Sequence, residues 1–292
     1  MKYRTIAFIG GGRITRAFLG GLVSSQTFEA RIIVVEPDQG AREAMEKFLG
    51  NVALRKALSM TGPAKGAPLQ LKFVNTPQEC VDSDLIFLAI PSSAAQAVLE
   101  NLKGALKEHS HSESIPADGA LPEGAIVVSF IPKLSIARIS AAPGGFSRII
   151  RMNPSAPSLV GAGYNPVVFS DAVSERERSE FLEFIQTLGR SPITKEENLE
   201  RYAMISAMGP TYLLFQLYEL MDLGERFGLS NAEALEAVSI MAQGAARLIS
   251  ESGLPRTEVL DLIPSKPLAK DEDEIRAIYE KDLPPFYEKL KS

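Results

Sequence analysis

The chain has 292 residues, of which two are His, one is Cys and none is Trp; its 31 Lys and Arg against 36 Asp and Glu give a formal net charge of −5. At roughly 150 residues per domain, this length favours two domains. The single Cys80 excludes an internal disulfide and a Cys-rich zinc site. His109 and His111 share one polar stretch, so a His-based catalytic relay or multi-His metal site is excluded elsewhere.

The charge and hydropathy patterns argue against two classes of partner. Nucleic-acid binders usually carry a basic stripe, whereas this chain is mildly acidic with interspersed signs. No stretch approaches 18 consecutive apolar residues, so no membrane-spanning segment is predicted. Arg13 and Arg16 interrupt the apolar stretch near the N-terminus, which argues against a signal peptide. We therefore expect a cytoplasmic protein with neither nucleic acid nor membrane as a partner.

Short apolar strands alternate with helices through the first half of the chain. Strands are predicted at 4–9, 31–35, 71–74, 85–90, 125–130 and 148–151. Helices are predicted at 13–24, at 39–49 and from Ser92 or Ser93 to about 107, with a variable helix and loop at 51–70 and an exposed insertion at 108–122. Apolar strands that alternate with helices indicate a parallel sheet covered on both faces.

The pattern becomes mainly helical after about residue 170. A capping box at Ser174-Glu175-Arg176-Glu177 opens a helix that ends at Gly189, and a short strand is predicted at 192–195. Helices fill most of 196–252, with a second capping box at Ser230, and one more helix is predicted at 271–281. The sequence thus predicts an α/β domain over 1–195 and an all-α domain over 196–292.

One motif in the α/β half points to a ligand. The first strand ends at Ile9 and leads into Gly10-Gly11-Gly12-Arg13-Ile14-Thr15, the G-x-G-x-x-G/A pattern of dinucleotide-binding folds with Thr in the last position. The first glycine permits a tight turn, the second lets the backbone approach a pyrophosphate, and the helix N-terminus offers N–H groups to phosphates. The β-branched Thr15 is less suited to close helix–strand packing. The alternative interpretation is a plain turn between strand and helix.

The second strand carries an indication of which dinucleotide binds. Glu36 ends this strand, where the ribose hydroxyls of such a cofactor lie. A carboxylate accepts hydrogen bonds from those hydroxyls and repels a 2′-phosphate, so Glu36 favours NAD over NADP. Arg42, one turn into the next helix, either answers such a phosphate or simply faces solvent.

Further segments of the chain keep the order of the motifs of one enzyme family. Asp84-Leu-Ile-Phe-Leu-Ala-Ile-Pro resembles a strand ending in Ala-Val-Lys-Pro, and Arg151-Met-Asn-Pro-Ser-Ala-Pro is similar to Arg-Val-Met-Pro-Asn-Thr-Pro. Ser206-Ala-Met-Gly-Pro-Thr-Tyr212 is similar to Ser-Gly-Ser-Gly-Pro-Ala-Tyr. Together with the opening Ile-Ala-Phe-Ile-Gly-Gly-Gly, these segments resemble the Δ1-pyrroline-5-carboxylate reductases, or a close relative with the NADP oxidoreductase/F420-dependent type of Rossmann domain.

The resemblance implies a Rossmann domain followed by a helical domain that intertwines with its twin in a homodimer, through helices 196–252. It implies hydride transfer from NAD(P)H to a small cyclic imine carboxylate, as in proline biosynthesis. It adds Ala89, Ile90 and Pro91 to the cofactor-binding residues. The residues that it implies for catalysis are Ser206, Thr211, Tyr212 and Ser265.

The departures from the family fall where the substrate is expected. The family's Ser-Pro-Gly-Gly-Thr loop corresponds to Pro264-Ser265-Lys266-Pro267-Leu268-Ala269, which keeps a serine but has no glycine. Glycine-rich carboxylate cradles depend on exposed N–H groups, so this loop cannot build the same one, although Lys266 can supply a charge. Two alternatives stay open: an oxidoreductase of the same fold with another substrate, such as a prephenate-type or F420-linked reaction, and a non-catalytic dinucleotide-binding dimer.

The implied reaction requires little acid–base chemistry from the protein. A protonated imine is already electrophilic, so positioning and shielding from water do most of the work, and a pocket without His is adequate. Tyr212 either donates a proton or packs at the head of its helix. Ser206 either hydrogen-bonds the substrate or bonds back within its helix. Arg151 either binds a carboxylate or forms an ion pair at the end of its strand.

Overall fold

The computed structural model of the chain describes residues 3–24, 30–59, 70–109, 125–142 and 146–291. The chain divides into two compact units, Met1–Ala207 together with Leu290–Ser292, and Met208–Lys289. Most of the insertion predicted at 108–122 lies outside the described residues. No helix of the described residues is long and apolar enough to cross a membrane. The same residues hold no cluster of His, Cys, Asp or Glu suited to a metal ion.

A seven-stranded sheet forms the centre of the first unit. Its strands, in chain order, are β1 (Thr5–Ile9), β2 (Arg31–Val35), β3 (Gln70–Val74), β4 (Leu85–Leu88), β5 (Ile126–Ser129), β6 (Ile149–Met152) and β8 (Val167–Phe169). The spatial order is β3-β2-β1-β4-β5-β6-β8, and β1 to β6 run parallel. The first six strands thus have the Rossmann order, which confirms the predicted fold class.

The edge of this sheet differs from the prediction of parallel strands alone. β8 pairs with β6 in the antiparallel direction, and two-residue strands β7 (Gly163–Tyr164) and β9 (Gly189–Arg190) pair separately. The strand predicted at 192–195 is only a single bridge from Ile193 to Val167. These pieces have two or three residues each, too few to show a hydrophobic period, so the sequence pattern missed them.

The helices of the first unit cover both faces of the sheet. They are α1 (Arg13–Val23), α2 (Gln39–Ser59), α3 (Ala95–His109), α4 (Ile136–Ala141), α5 (Glu175–Ile185) and α6 (Leu199–Tyr202). Alternate residues of β1 enter opposite cores, Phe8 on one face and Ala7 and Ile9 on the other. Phe8 stacks on Phe87 of β4, with ring centroids 4.5 Å apart. Burial on both faces explains why these strands are continuously apolar.

Helix ends follow the local signals in part. The capping box predicted at Ser174 is present, because its hydroxyl accepts from the Glu177 N–H while the Glu177 carboxylate accepts from the Ser174 N–H. The end predicted for α2 near Gly50 is wrong, since this helix continues to Ser59. Gly50 lies on an exposed face where a Cβ would meet nothing within 4 Å, so the helix simply tolerates it.

The first unit continues past residue 195, where the sequence pattern placed the domain boundary. A 3₁₀ turn (Glu196–Asn198), α6 and a π-helical turn (Ala203–Ala207) follow that point. Arg151 of β6 anchors them with ion pairs of 2.8 Å to Glu196 and 3.1 Å to Glu200. Leu199 is buried, and its carbonyl accepts from the Asn153 side chain. These long-range contacts hold the segment to the first unit, and they occupy Arg151 with ion pairs rather than with a ligand.

The second unit is helical and has almost no core of its own. Its helices are α7 (Gly209–Arg226), α8 (Asn231–Glu251), α9 (Arg256–Asp261) and α10 (Glu272–Lys291). α8 begins with the capping box predicted at Ser230. α10 runs through Pro284 and Pro285, beyond the predicted end at about 281, with Leu283 lining a cleft against α7. In α7 and α8 the one buried residue is Ala234, which packs close to Gly224.

Replacing Arg151 by Met is expected to destabilise the first unit by about 3–5 kcal/mol, because it leaves two carboxylates without their cation. The Arg151 side chain is only 4% exposed and that of Glu200 16%, so water replaces the lost donors poorly at Glu200; Glu196, at 34%, is better hydrated. Urea unfolding followed by circular dichroism measures the loss. Arg176→Met is the matched control, since this side chain is 81% exposed in its pair with Glu180 and should cost less than about 1 kcal/mol. Equal losses in the two variants would contradict the structural role of Arg151.

Candidate dinucleotide-binding site

The ends of three neighbouring strands meet around Gly10. This residue has φ +104°, and a Cβ here would lie 2.4 Å from the carbonyl oxygen of Ala89, so only glycine fits. Its N–H donates to the Val35 carbonyl at 3.0 Å, and the Ala89 N–H donates to Ile9 at 2.9 Å. The loop after β1 therefore contacts the ends of β2 and β4. This is the point where the strand order reverses, at which open α/β sheets bind dinucleotides.

The carboxylate of Glu36 is fixed at the end of β2, as predicted for a ribose-binding residue. Its Oε2 accepts from the Gly11 N–H at 3.0 Å, and its Oε1 accepts from the Asp38 N–H at 3.1 Å. A Cβ on Gly11 would meet the Glu36 side chain at 3.0 Å. Two backbone donors thus orient the carboxylate, which retains lone pairs for further donors.

Gly12 provides open space at the start of α1. It is the N-cap residue, no side chain caps this helix, and its first turn contains no acidic residue. A Cβ on Gly12 would meet nothing within 4 Å. The first N–H groups of a helix lack intrahelical partners, and they attract anions together with the helix dipole. The arrangement fits a pyrophosphate, which would lie where a side chain at this position would stand.

Thr15 joins the helix to the glycine loop. The side chain is fully buried, and its hydroxyl donates to the Gly10 carbonyl at 2.7 Å. Close packing of α1 occurs instead at Gly20 and Gly21, where a Cβ would lie 2.5 Å from Leu159 and 2.2 Å from the Ser158 carbonyl oxygen. Sequence reasoning missed this pair, although two adjacent glycines inside a helix are a signal of close approach.

Arg42 bonds to the ends of two strands, a role that neither interpretation of the sequence included. Its Nε donates to the Glu36 carbonyl, and its Nη2 donates to the Val74 carbonyl at 3.1 Å and to the Asn75 side chain. The guanidinium lies 6.0 Å from the centre of the Phe73 ring. It therefore ties the end of β2 to the end of β3, and most of its donors are already used.

The remaining predicted cofactor residues lie around the same loop. Arg13 is exposed and Ile14 is half-buried in the first turn of α1. Ala89 and Ile90 are half-buried after β4, and Pro91 is exposed before a 3₁₀ turn that leads into α3. The structure thus brings together the residues predicted for the cofactor, all at the carboxyl ends of β1, β2 and β4.

The predicted catalytic hydroxyls are bonded within their own helices. Ser206 lies in the π-helical turn, and its hydroxyl donates to the Tyr202 carbonyl at 2.8 Å. Thr211, in the first turn of α7, donates to the Met208 carbonyl at 2.6 Å. Of the two interpretations of Ser206, the bond within its helix is present. Ser265 is exposed in the segment between α9 and α10.

Tyr212 packs inside the second unit. It lines a cleft of about 440 Å³ between α7 and α10, with Thr211, Phe215, Ile275, Ile278 and Leu283 among its neighbours. Its ring meets that of Tyr279 edge to face, with centroids 6.3 Å apart. Burial, and secondly the Tyr279 phenol, raise the pKa of Tyr212, which makes it a weaker acid than a free phenol. No Lys or Arg is among the residues that line this cleft.

Known proteins of similar sequence are named as reductases and oxidoreductases, in agreement with the geometry of the candidate site. Residues 5–111 match the family described as NADP oxidoreductase, coenzyme F420-dependent. A pyrroline-5-carboxylate reductase of Corynebacterium melassecola is 24% identical over 255 residues, which are 87% of this chain and 83% of the relative. The Escherichia coli enzyme of that name is 23% identical over 251 residues, 86% of this chain and 81% of the relative. The resemblance to pyrroline-5-carboxylate reductases is thereby confirmed.

Solved structures show the same fold. The pyrroline carboxylate reductase of Plasmodium falciparum, solved with NADP bound, has a TM-score of 0.74 at 18% identity and covers 99% of this chain and 97% of its own. The 1-pyrroline-5-carboxylate reductase of Streptococcus pyogenes has a TM-score of 0.72 at 17% identity, with 98% of each chain covered. A Rossmann-type first domain followed by a helical region is therefore common to these chains.

Replacing Gly12 by Ala is expected to weaken the binding of NADH roughly tenfold or more, because a methyl group would occupy the space that fits the pyrophosphate. The folded chain should lose at most about 1 kcal/mol, the usual difference between Gly and Ala at an N-cap. Fluorescence titration with NADH and thermal unfolding measure the two quantities.

Gly10→Ala is the matched contrast, because its Cβ would strike the Ala89 carbonyl at a positive φ. We expect it to destabilise the fold itself by about 2 kcal/mol or more. Unchanged NADH affinity in Gly12→Ala would contradict the assignment of the cradle.

Proposed function

We propose that the chain is an NAD(P)H-dependent oxidoreductase of the pyrroline-5-carboxylate reductase type, which reduces a small cyclic imine carboxylate. The observation that carries the proposal is the open cradle at Gly12, at the strand-order reversal of a Rossmann sheet. The similarity to named reductases, over more than four fifths of the chain, supports the same reaction class.

The residues of the chain bind and orient, rather than provide strong acid–base catalysis. Bound nicotinamide supplies the hydride in this class of enzyme. The hydroxyls of Ser206 and Thr211 donate to backbone carbonyls, so their oxygens retain lone pairs that can accept from an iminium N–H. The raised pKa of Tyr212 favours packing over proton donation for this residue. Ser265 stays a candidate for substrate contact by its exposed hydroxyl.

The finer proposal for the cofactor is a preference for NADH. The two backbone N–H groups hold the Glu36 carboxylate where a 2′-phosphate would be repelled. The Arg42 guanidinium, which could offset this repulsion, already donates to two carbonyls and one side-chain oxygen. The P. falciparum relative was solved with NADP, so the preference is proposed for this chain from its own residues.

A homodimer through the helices of 196–252 is the second part of the proposal. Of the residues in α7 and α8, only Ala234 is buried, whereas Phe215, Tyr218, Ile240 and Ile249 are 62–77% exposed. A helix that is apolar on most faces requires cover, and exposed apolar surface of this extent is typical of an interface. A second copy supplies such cover. The cytoplasmic location stays a proposal that rests on the sequence alone.

A second candidate function keeps the cofactor and changes the substrate. The segment 264–269 is exposed throughout and has no glycine with which to surround a carboxylate closely. This departure favours a related carboxylate or imine over pyrroline-5-carboxylate itself. Measuring NADH oxidation with a panel of cyclic imines separates the two candidate functions.

Purified protein with pyrroline-5-carboxylate is expected to oxidise NADH, with a kcat/KM for NADH roughly tenfold above that for NADPH, since one repelled charge is worth about 1.4 kcal/mol or more. Glu36→Ala should raise the KM for NADH and reduce this ratio towards one. Glu43→Ala, on the exposed face of α2 where this side chain accepts from Gln39, is the control and should change neither. If neither NADH nor NADPH is oxidised with any imine, the proposed function is wrong.

Light scattering is expected to give about twice the chain mass of 31.6 kDa for the native protein. Ile240→Asp should shift the mass towards that of one chain, because a charge then replaces an apolar contact at the interface. Arg176→Asp, on the exposed face of α5, should leave the mass unchanged. A native protein that is monomeric at micromolar concentration would contradict the dimer.

A further inference from the structure

Lys133 has an unusual backbone conformation. Its φ is +64°, and it is the one non-glycine residue with a positive φ in the described part of the chain. A side chain longer than Asn or Asp rarely adopts this left-handed region, because it costs free energy unless the surroundings enforce it. Such outliers are frequent at functional sites, which justifies asking what Lys133 does.

The residues on both sides of Lys133 enforce this conformation. Ile131 is 1% exposed and Leu134 is 9% exposed, and both belong to the core on one face of the sheet. The Ile131 N–H donates to the Ser129 hydroxyl at 3.2 Å, and the Ser135 hydroxyl caps α4 by accepting from the Arg138 N–H at 3.2 Å. With the chain fixed before and after it, Lys133 is held in an exposed turn.

The turn lies at the carboxyl ends of the central strands, where a substrate is expected. It follows β5, whose Ser129 is opposite Leu88 of β4, next to the segment Ala89–Pro91. A Rossmann sheet consists of two halves, each of which binds one mononucleotide. Because Glu36 is the proposed ribose-binding residue, the adenosine part of the cofactor is expected at the half formed by β1 to β3. The half of β4 to β6 is left for the nicotinamide. A substrate that receives a hydride must lie on this second half, beside the loop of Lys133.

The Lys133 ammonium is available for a ligand. It forms no ion pair or hydrogen bond within the residues that the structure describes. Two arginines linked to this segment are already bonded. Arg151 is held by Glu196 and Glu200, while Arg138 leans back towards the Lys133 carbonyl, at 3.5 Å. The Glu196 carboxylate, which accepts from the Ile136 N–H just after this turn, also accepts from Arg151.

We propose that Lys133 binds the carboxylate of the substrate and so sets its specificity. The inference rests on the proposed function, which supplies a small carboxylate next to the nicotinamide. A carboxylate needs hydrogen-bond donors, and the Ser206 and Thr211 hydroxyls already donate to backbone carbonyls. An ammonium supplies three donors and a charge, and such charge-assisted bonds are the strong ones. The cost of the positive φ is explained if the turn exists to present this group.

Three variants at this position separate charge from backbone strain. Lys133→Met removes the charge and keeps the strain, Lys133→Arg keeps both, and Lys133→Gly removes both. We expect Lys133→Met to raise the KM for pyrroline-5-carboxylate roughly 10- to 100-fold, the range for a lost hydrogen bond to a charged group. Its kcat and its KM for NADH should change less than about threefold, because the cofactor contacts persist. Lys133→Arg should stay within about threefold of the native KM.

Two further measurements exclude a merely structural effect. Lys133→Gly should show the same rise in KM while its melting temperature equals or exceeds that of the native chain, because glycine adopts this φ freely. With 1-pyrroline, which lacks the carboxylate, the native chain and Lys133→Met should have equal KM values. A KM rise with 1-pyrroline equal to that with the carboxylate, or no rise with either, would overturn the inference.

Calorimetry with L-proline on the NADH-loaded chain tests the site independently of turnover, because L-proline cannot transfer a hydride to the reduced cofactor. The native chain should bind L-proline, and Lys133→Met should bind it roughly 10-fold more weakly or worse. If imines are not reduced but this difference is present, the proposed reaction is wrong and the carboxylate site stands. If the native chain binds no L-proline, or binds it as Lys133→Met does, the carboxylate site is wrong even where the reductase activity is normal.

Discussion

The close approach of Gly10 to the Ala89 carbonyl is the constraint on which the site depends. A Cβ on Gly10 would lie 2.4 Å from the Ala89 carbonyl oxygen, so the ends of β1 and β4 are too close together for any side chain at this position. This approach lets the chain turn sharply out of β1 and begin α1 with its N–H groups facing the crevice. The Thr15 hydroxyl, bonded to the same Gly10, holds the turn from the helix side. Backbone packing, rather than a charged side chain, thus creates the open space at Gly12 that we propose as the phosphate cradle.

Electrostatics around this cradle are set by one carboxylate and one guanidinium. Glu36 accepts from the glycine loop, and Arg42 bonds to the carbonyl of Glu36 itself and to the end of β3. The Glu36 carboxylate thus keeps lone pairs for a ligand, whereas the Arg42 guanidinium uses most of its donors within the fold. This arrangement is the basis of the proposed preference for a ribose with free hydroxyls over one with a 2′-phosphate. The same two residues would favour the opposite cofactor if their roles were exchanged.

The sequence predicted the parts of this molecule that depend on local patterns. β1, β2 and β4 were found because both faces are buried and the strands are continuously apolar, and the helix starts at Ser174 and Ser230 because capping boxes are local. The glycine loop and Glu36 were found because they form a motif. The bonds of Arg42 and the antiparallel β8 were missed, since each depends on a partner more than 30 residues away or on pairing across the sheet. An ion pair of Arg151 was one of its two interpretations, but its partners in the segment of α6 were not identified. Nothing in the residue type of Lys133 indicates a positive φ; its buried neighbours impose it.

The second unit differs from the first in what can hold it together. Its ion pairs Arg226–Glu219, Arg247–Glu251 and Arg276–Glu272 are all exposed, and the last two join residues four apart in a helix. Such pairs contribute about 0.3–0.5 kcal/mol each, far less than the roughly 1–2 kcal/mol per residue that ordering the backbone costs. With Ala234 as the one buried residue of α7 and α8, apolar burial within this unit does not close the difference. The proposed homodimer would supply the missing burial, and the stability of these helices would then depend on the concentration of the chain. Thr211 lies in this unit, so its proposed contact with the substrate would depend on the same association.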